Sequence, residues 1–319
     1  MSKYFDNKET FLGATTTQYG NHMVMTNVMK PGKTKYINID TRFKDNYETD
    51  VLSKQTITLP ERYTEVRNIS VVNAELPMSY YNISSALGNN AFKIIHDSSE
   101  EVIVVPDGEY TKETLETILN NLLETSDNEI SIINNTTISH KNSGPGHGHG
   151  HGHGHDNIVE IDFLIDASGN RSRFGFKSSL GWLLGFRTPT FTFTGTEIEN
   201  YITNGLTSTA LVNLSGPRYL YLVIDEFTSS GNQSSFVSPL PNSLINKNIL
   251  ARISVSKQDY PFGSIMPVNL YNGLLMSDVR SYTGKVDIQK LNVQLVNEFG
   301  NVINLNGDDF SFCLKIEHE

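Results

Sequence analysis

Short runs of alternating apolar and polar residues, cut at fairly even intervals by turn-forming residues, recur along this chain. That rhythm limits its fold more than any other feature. The C-terminal run is the clearest case. Phe310, Phe312, Leu314 and Ile316 fall on one side, with Ser311, Cys313, Lys315 and Glu317 on the other, the side-chain period of a strand with one buried face. This places Cys313 outward or half-buried rather than poised as a nucleophile. Before it, Leu291, Val293 and Leu295 share a face opposite Asn292 and Gln294. The run 218–225 (RYLYLVID) reads as a strand buried on both faces, and 249–255 alternates. Upstream, 36–40, 56–60, 66–76, 92–95, 102–105, 129–133 and 158–165 are further strands. Asn89-Asn90, Pro106-Asp107-Gly108, 166–170 (DASGN), 297–301 (NEFGN) and Asn306-Gly307 supply the turns. Short strands with turn chemistry between them are the pattern of a sandwich or barrel.

Composition agrees. Alanine, the best helix former, is confined to Ala14, Ala74, Ala86, Ala91, Ala167, Ala210 and Ala251, while turn formers abound. Two short helices interrupt the strands. Thr111 caps one whose Leu115, Ile118, Leu119 and Leu122 are spaced i, i+3, i+4, i+7; Ser178 or Ser179 caps a second through Leu184, with Gly185 as its stop. The stretch 190–215 alternates weakly and otherwise reads as turn.

The 319 residues fit one β-rich domain with insertions. Residues 1–35 lack sustained periodicity. They carry Lys3, Lys8, Lys30, Lys33 and Lys35 against Asp6 and Glu9, a net +3 in a chain of net charge -10. We read 1–35 as an N-terminal arm ordered by a neighbour, and 36–319 as the domain, with an insertion within about 125–216.

The acidic balance argues against a phosphate-backbone binder, so no specific nucleic-acid partner is expected. The longest apolar run, about six residues from Tyr219 to Ile224, is far short of a membrane span. The first residues show no signal-peptide pattern. One cysteine excludes an intrachain disulfide and a cysteine metal cluster.

Most tests for chemistry fail. Pro31-Gly32-Lys33-Thr34 resembles the tail of a phosphate loop, but Asn27 stands where that loop needs glycine, and no strand precedes it. No nucleophile elbow, zinc-protease motif or EF-hand loop occurs. The sequons at Asn82 and Asn213 are what an Asn- and Ser-rich chain produces by chance. The oddity is 144–156, where His147, His149, His151, His153 and His155 alternate with glycine. Imidazole binds zinc, copper or nickel, so these five are metal candidates. His153 and His155 with Glu160 also match half of a cupin metal site, but no histidine lies between His155 and His318 to complete it. The glycines leave the imidazoles unfixed, and a passive repeat-expanded loop is the plainer reading.

Several segments, in order, resemble one family: 59–77 (LPERYTEVRNISVVNAELP), 89–94 (NNAFKI), 105–111 (VPDGEYT), 180–186 (LGWLLGF), 218–222 (RYLYL) and 290–312 (KLNVQLVNEFGNVINLNGDDFSF). Together, over roughly 36–319, they resemble the single-jelly-roll penton, or minor capsid, proteins of virophages, with kin in polinton-like elements and giant DNA viruses. The Gly-His loop is no part of that pattern. The resemblance implies a mainly β single jelly-roll sandwich with two short helices and long inserted loops. It implies a structural virion protein, not an enzyme, without cofactors. Five copies would form each icosahedral vertex of a capsid assembled in the host cytoplasm. Partners would be other copies of itself, capsomers of a major capsid protein and other minor capsid proteins. Two alternatives stay open: a jelly-roll attachment or carbohydrate-binding module, using aromatics such as Tyr80, Tyr81, Tyr201, Tyr260 and Phe262, and a cupin-like metalloprotein.

Overall fold

Alternation becomes antiparallel pairing throughout the described strands. The computed structural model describes residues 32–46, 54–97, 99–141, 158–227, 236 and 248–319. Its strands are β1 (Lys33–Asp40), β2 (Lys54–Pro77), β3 (Ala91–His96), β4 (Ser99–Val104), β5 (Asn128–Ile132), β6 (Thr136–His140), β7 (Ile158–Asp162) and β8 (Thr190–Thr194). There follow β9 (Leu206–Thr207), β10 (Tyr219–Asp225), β11 (Ile249–Ser254), β12 (Ile265–Asn269), β13 (Leu275–Ser277), β14 (Arg280–Val296) and β15 (Ser311–His318). The helices are α1 (Lys112–Leu122), α2 (Leu180–Leu183) and α3 (Thr196–Asn204).

The largest sheet runs β1-β15-β2-β14-β10-β11-β13, with β12 also on β2. Its far strands β11 and β13 touch β2, so the sheet curls over itself. Inside the curl lie the inward residues the alternation assigns. Phe310, Phe312, Leu314 and Ile316 are buried, as are Leu291, Val293 and Leu295. Each such side chain contributes about 1.5–3 kcal/mol by leaving water. Sheets β4-β3-β7-β8 and β5-β6-β9, with the three helices, enclose a second core built from residues between Ile83 and Val212. At its centre the rings of Phe163 and Phe186 stack 4.9 Å apart. The fold is a mainly β, jelly-roll-like sandwich.

Local chemistry sets the boundaries. Thr111 caps α1 with a reciprocal capping box, its side chain accepting from Thr114 N while Thr114 Oγ1 accepts from Thr111 N. Ser179 caps α2, and Gly185 stops it at φ 93°. The two runs 56–60 and 66–76 form one strand, β2, because Glu65 (φ 56°) absorbs an irregularity instead of ending it. The Glu65 N–H donates to Asp287 Oδ1 (3.1 Å), which fixes the kink. Asn306 and Gly307, both at positive φ, make the tight turn closed by Asp308 N to Leu305 O (3.1 Å).

Two expectations need correction. The stretch 190–215 is not mostly turn: it holds β8, α3 and β9. Helix α3 starts at Gly195 without a side-chain cap and is held by burial of Ile198 and Tyr201. The described residues therefore contain three α-helices, not two. Cys313 is 7% exposed, and burial raises its thiol pKa.

Candidate functional site

Residues 265–296 run antiparallel along β2 from Pro77 down to Lys54, but with one excursion. Asn269 faces Asn73 and Arg280 faces Ile69. Between them the chain leaves β2, and Leu275–Ser277 pairs with β11 instead. The gap on β2 is partly filled by Ser277, whose Oγ accepts from Val71 N (3.0 Å). The loop is fixed by its own asparagines. Asn269 Oδ1 accepts from Tyr271 N (2.9 Å), and Asn272 Nδ2 donates to Pro267 O (2.8 Å). This rigid excursion carries Leu270, Tyr271, Met276 and Val279, exposed by 51%, 99%, 62% and 51%. A cluster of apolar side chains beside a sheet edge is unusual on a surface facing only water.

Where the excursion rejoins the ladder, a charged network is sealed inside. Arg280 Nη1 donates to Glu226 Oε2 (2.7 Å) and to Ile224 O (2.8 Å). Tyr282 Oη donates to Glu226 Oε1 (2.5 Å). The Arg280 and Glu226 side chains are 4% and 0% exposed. Burial, then the Glu226 charge, pushes the Tyr282 phenol far up. The network ties β14 to the end of β10.

Two of the depressions on the described surface gather charged side chains. One, of about 680 Å³, lies beside the start of β1 and is lined by Thr34, Arg67, Tyr282, Lys285 and Glu317. Its cations are already paired, since Lys285 and Arg67 both donate to Glu319. Those bonds, Lys285 first, hold the Glu319 carboxyl down at about 2.

The other, of about 430 Å³, sits between the two cores, lined among others by Lys177, Trp182, Arg187, Arg218, Tyr219 and Glu298. Asparagines stiffen its walls. Asn82 Nδ2 donates to Tyr110 O and Leu214 O (2.8 and 2.9 Å), Asn89 Nδ2 to Asn82 O (2.8 Å), and Asn297 Oδ1 accepts from Asn301 N (2.9 Å). Arg187 lies 4.0 Å from the Trp182 ring centre, its Nη1 donating to Trp182 O and Phe186 O. Burial raises the Glu298 pKa against the pull of Arg218, and Glu298 Oε2 is buried without a hydrogen-bond partner.

The residues singled out by sequence fare differently. His147, His149, His151, His153 and His155 lie outside the described residues, as does the arm up to Pro31. Among the described residues no group of three or more His, Cys, Asp or Glu could hold a metal ion. Lys33 and Thr34 belong to β1, with no phosphate cradle. The Asn82 amide is consumed by two carbonyls, so this sequon is closed in the folded chain. Tyr80 and Tyr201 are core residues, the latter donating to Asn128 Oδ1 (2.6 Å). Tyr81 and Phe262 do reach the surface region, their rings stacked 5.8 Å apart. Among the described residues no helix is long and apolar enough to cross a membrane. Sequence reading missed the apolar excursion and the cationic depression. The first shows only as Leu270-Tyr271 and Met276 in a turn-rich stretch; the second has no sequence period, its residues spanning 82–299.

No family model matches the chain, and no curated protein matches it. Among solved structures, a chain of the Sputnik virophage determined by cryo-EM is similar over 91% of this chain and 98% of its own, at 12% identity and a TM-score of 0.43. The mavirus penton protein is similar over 91% of this chain and 100% of its own, at 9% identity and a TM-score of 0.37.

Proposed function

We propose that this chain is a structural virion protein. In this reading five copies form the vertex of an icosahedral capsid and meet surrounding capsomers of a different major capsid protein. The observation that carries the need for neighbours is the excursion 270–279. Four of its ten residues are large, apolar and at least half exposed, on a loop held rigid by asparagine bonds. Such a surface is stabilised by being covered. The five-fold arrangement comes from the ordered motifs, whose segments 59–77 and 290–312 lie in the central ladder β15-β2-β14 and the connection between β14 and β15. In the same proposal the arm that precedes β1 reaches a neighbouring subunit, Lys33–Lys35 being paired with β15 of the same chain; the Gly-His loop is a passive part of an insertion within about 125–216, and the chain does no catalysis.

The test is negative-stain imaging and light scattering of the purified chain, alone and with its coat partner. Rings with five-fold symmetry are expected. Tyr271→Asp with Met276→Asp is expected to abolish rings while leaving the melting temperature of the monomer nearly unchanged. A chain that stays monomeric in both settings overturns the proposal, as do rings indifferent to the double substitution.

A further inference from the structure

The depression between the two cores gathers positive charge that the chain's own acids do not neutralise. The protein is -10 overall, yet Lys177, Arg187 and Arg218 converge here on a single acid, Glu298. Among the described residues, Lys177 Nζ and the Arg218 guanidinium donate to no protein acceptor, and the Trp182 indole N–H donates to none either. Arg187 spends only Nη1 on carbonyls. Meanwhile the asparagines of the wall are satisfied by backbone groups, so the cavity is built before any ligand arrives. Its volume of about 430 Å³ lies within the usual range for small-ligand sites.

Three features narrow the ligand. Unpaired cations call for an anion, and arginine suits a carboxylate because its planar fork matches two oxygens. Glu298 on the same wall is an acceptor for a hydroxyl or amide N–H, and a bare sulfate brings neither. Trp182, Tyr219 and Phe299 offer aromatic surface for the C–H face of a ring. We infer that this depression binds an acidic saccharide, a sugar ring bearing a carboxylate, with Arg218 and Lys177 on the carboxylate and Glu298 on a hydroxyl. This goes beyond a capsid role and does not depend on it, since the whole cavity lies within one chain.

Trp182 is the chain's only tryptophan, so tryptophan fluorescence, excited selectively over the 14 tyrosines, reports on this cavity. The purified full chain is titrated with the methyl glycosides of glucuronic acid and N-acetylneuraminic acid, with methyl glucoside, and with sodium sulfate. A saturable fluorescence change is expected with at least one sugar acid, and binding of the uncharged glucoside roughly tenfold weaker or worse. Arg218→Ala and Lys177→Ala, each checked for an unchanged melting temperature, are expected to weaken sugar-acid binding by roughly tenfold or more. Calorimetry supplies the affinity where fluorescence is quenched by the substitution itself. The inference is overturned by no saturable response to either sugar acid, by sulfate binding as tightly as the sugar acids, or by affinity that ignores both substitutions.

Discussion

Removing one member of the buried Arg280–Glu226–Tyr282 network should be far more damaging than removing the charged pair together. Glu226→Leu leaves the Arg280 cation with Ile224 O alone and strands the Tyr282 hydroxyl. Arg280→Met leaves a buried carboxylate held only by Tyr282. Both side chains are almost wholly enclosed, so neither orphan regains water. Stripping one partner from such a pair costs about 3–5 kcal/mol. At roughly 2 °C per kcal/mol for a large domain, each single substitution should lower the melting temperature by roughly 6–10 °C. The double variant Glu226→Leu with Arg280→Met strands no charge and takes these partners only from two neutral groups, the Tyr282 hydroxyl and the Ile224 carbonyl, a cost of about 1–3 kcal/mol. Adding Tyr282→Phe removes the hydroxyl as well. Urea unfolding of the two singles, the double and the triple gives the full cycle. Single losses below about 1 kcal/mol, or a double loss equal to the sum of the singles within about 0.5 kcal/mol, would refute the claim that these groups are coupled through burial.

Two further outcomes follow from single positions. At Gly185 (φ 93°) a Cβ would lie 2.1 Å from Ala210 O, so Gly185→Ala should cost about 2 kcal/mol or more by calorimetry. Gly263→Ala, at φ 85° with open space around it, should cost only the backbone share of about 1 kcal/mol; equal losses would remove the steric argument. Because burial raises the Glu298 pKa in the folded chain, ionising it opposes folding. Its neutral form therefore favours the fold below about pH 4.5, and that advantage is lost as pH rises through the raised folded value. Glu298→Gln should then raise the melting temperature at pH 7 and leave it nearly unchanged at pH 4; a gain at pH 4 alone reverses the sign and rejects the reading.

How far the chain could be read from its letters depended on the distance over which each feature is decided. Strand β15 was legible because its alternation needs eight residues and one buried face. Helix α1 was legible because its cap and its apolar spacing lie within a dozen. Helix α3 was not, since Gly195 offers no side-chain cap, and Thr196, Ile198, Ile202 and Thr203 are β-branched. Its Ile198, Tyr201 and Ile202 do fall at i, i+3, i+4, a spacing that burial against the second core made decisive. The excursion 270–279 is harder still. It exists because Asn269 pairs with Asn73 and Arg280 with Ile69, partners about two hundred positions away. Three positions on β2, 70–72, stand opposite ten residues, 270–279, of the other chain segment, and the surplus chain has to leave the ladder. Once outside, it turns Leu274 and Leu275 to the core and leaves Leu270, Tyr271, Met276 and Val279 facing solvent. Locally those residues resemble any interrupted strand. Only the register shows that they have nowhere inward to go, and so the surface most in need of a neighbour is fixed by pairing distant in sequence rather than by its own pattern.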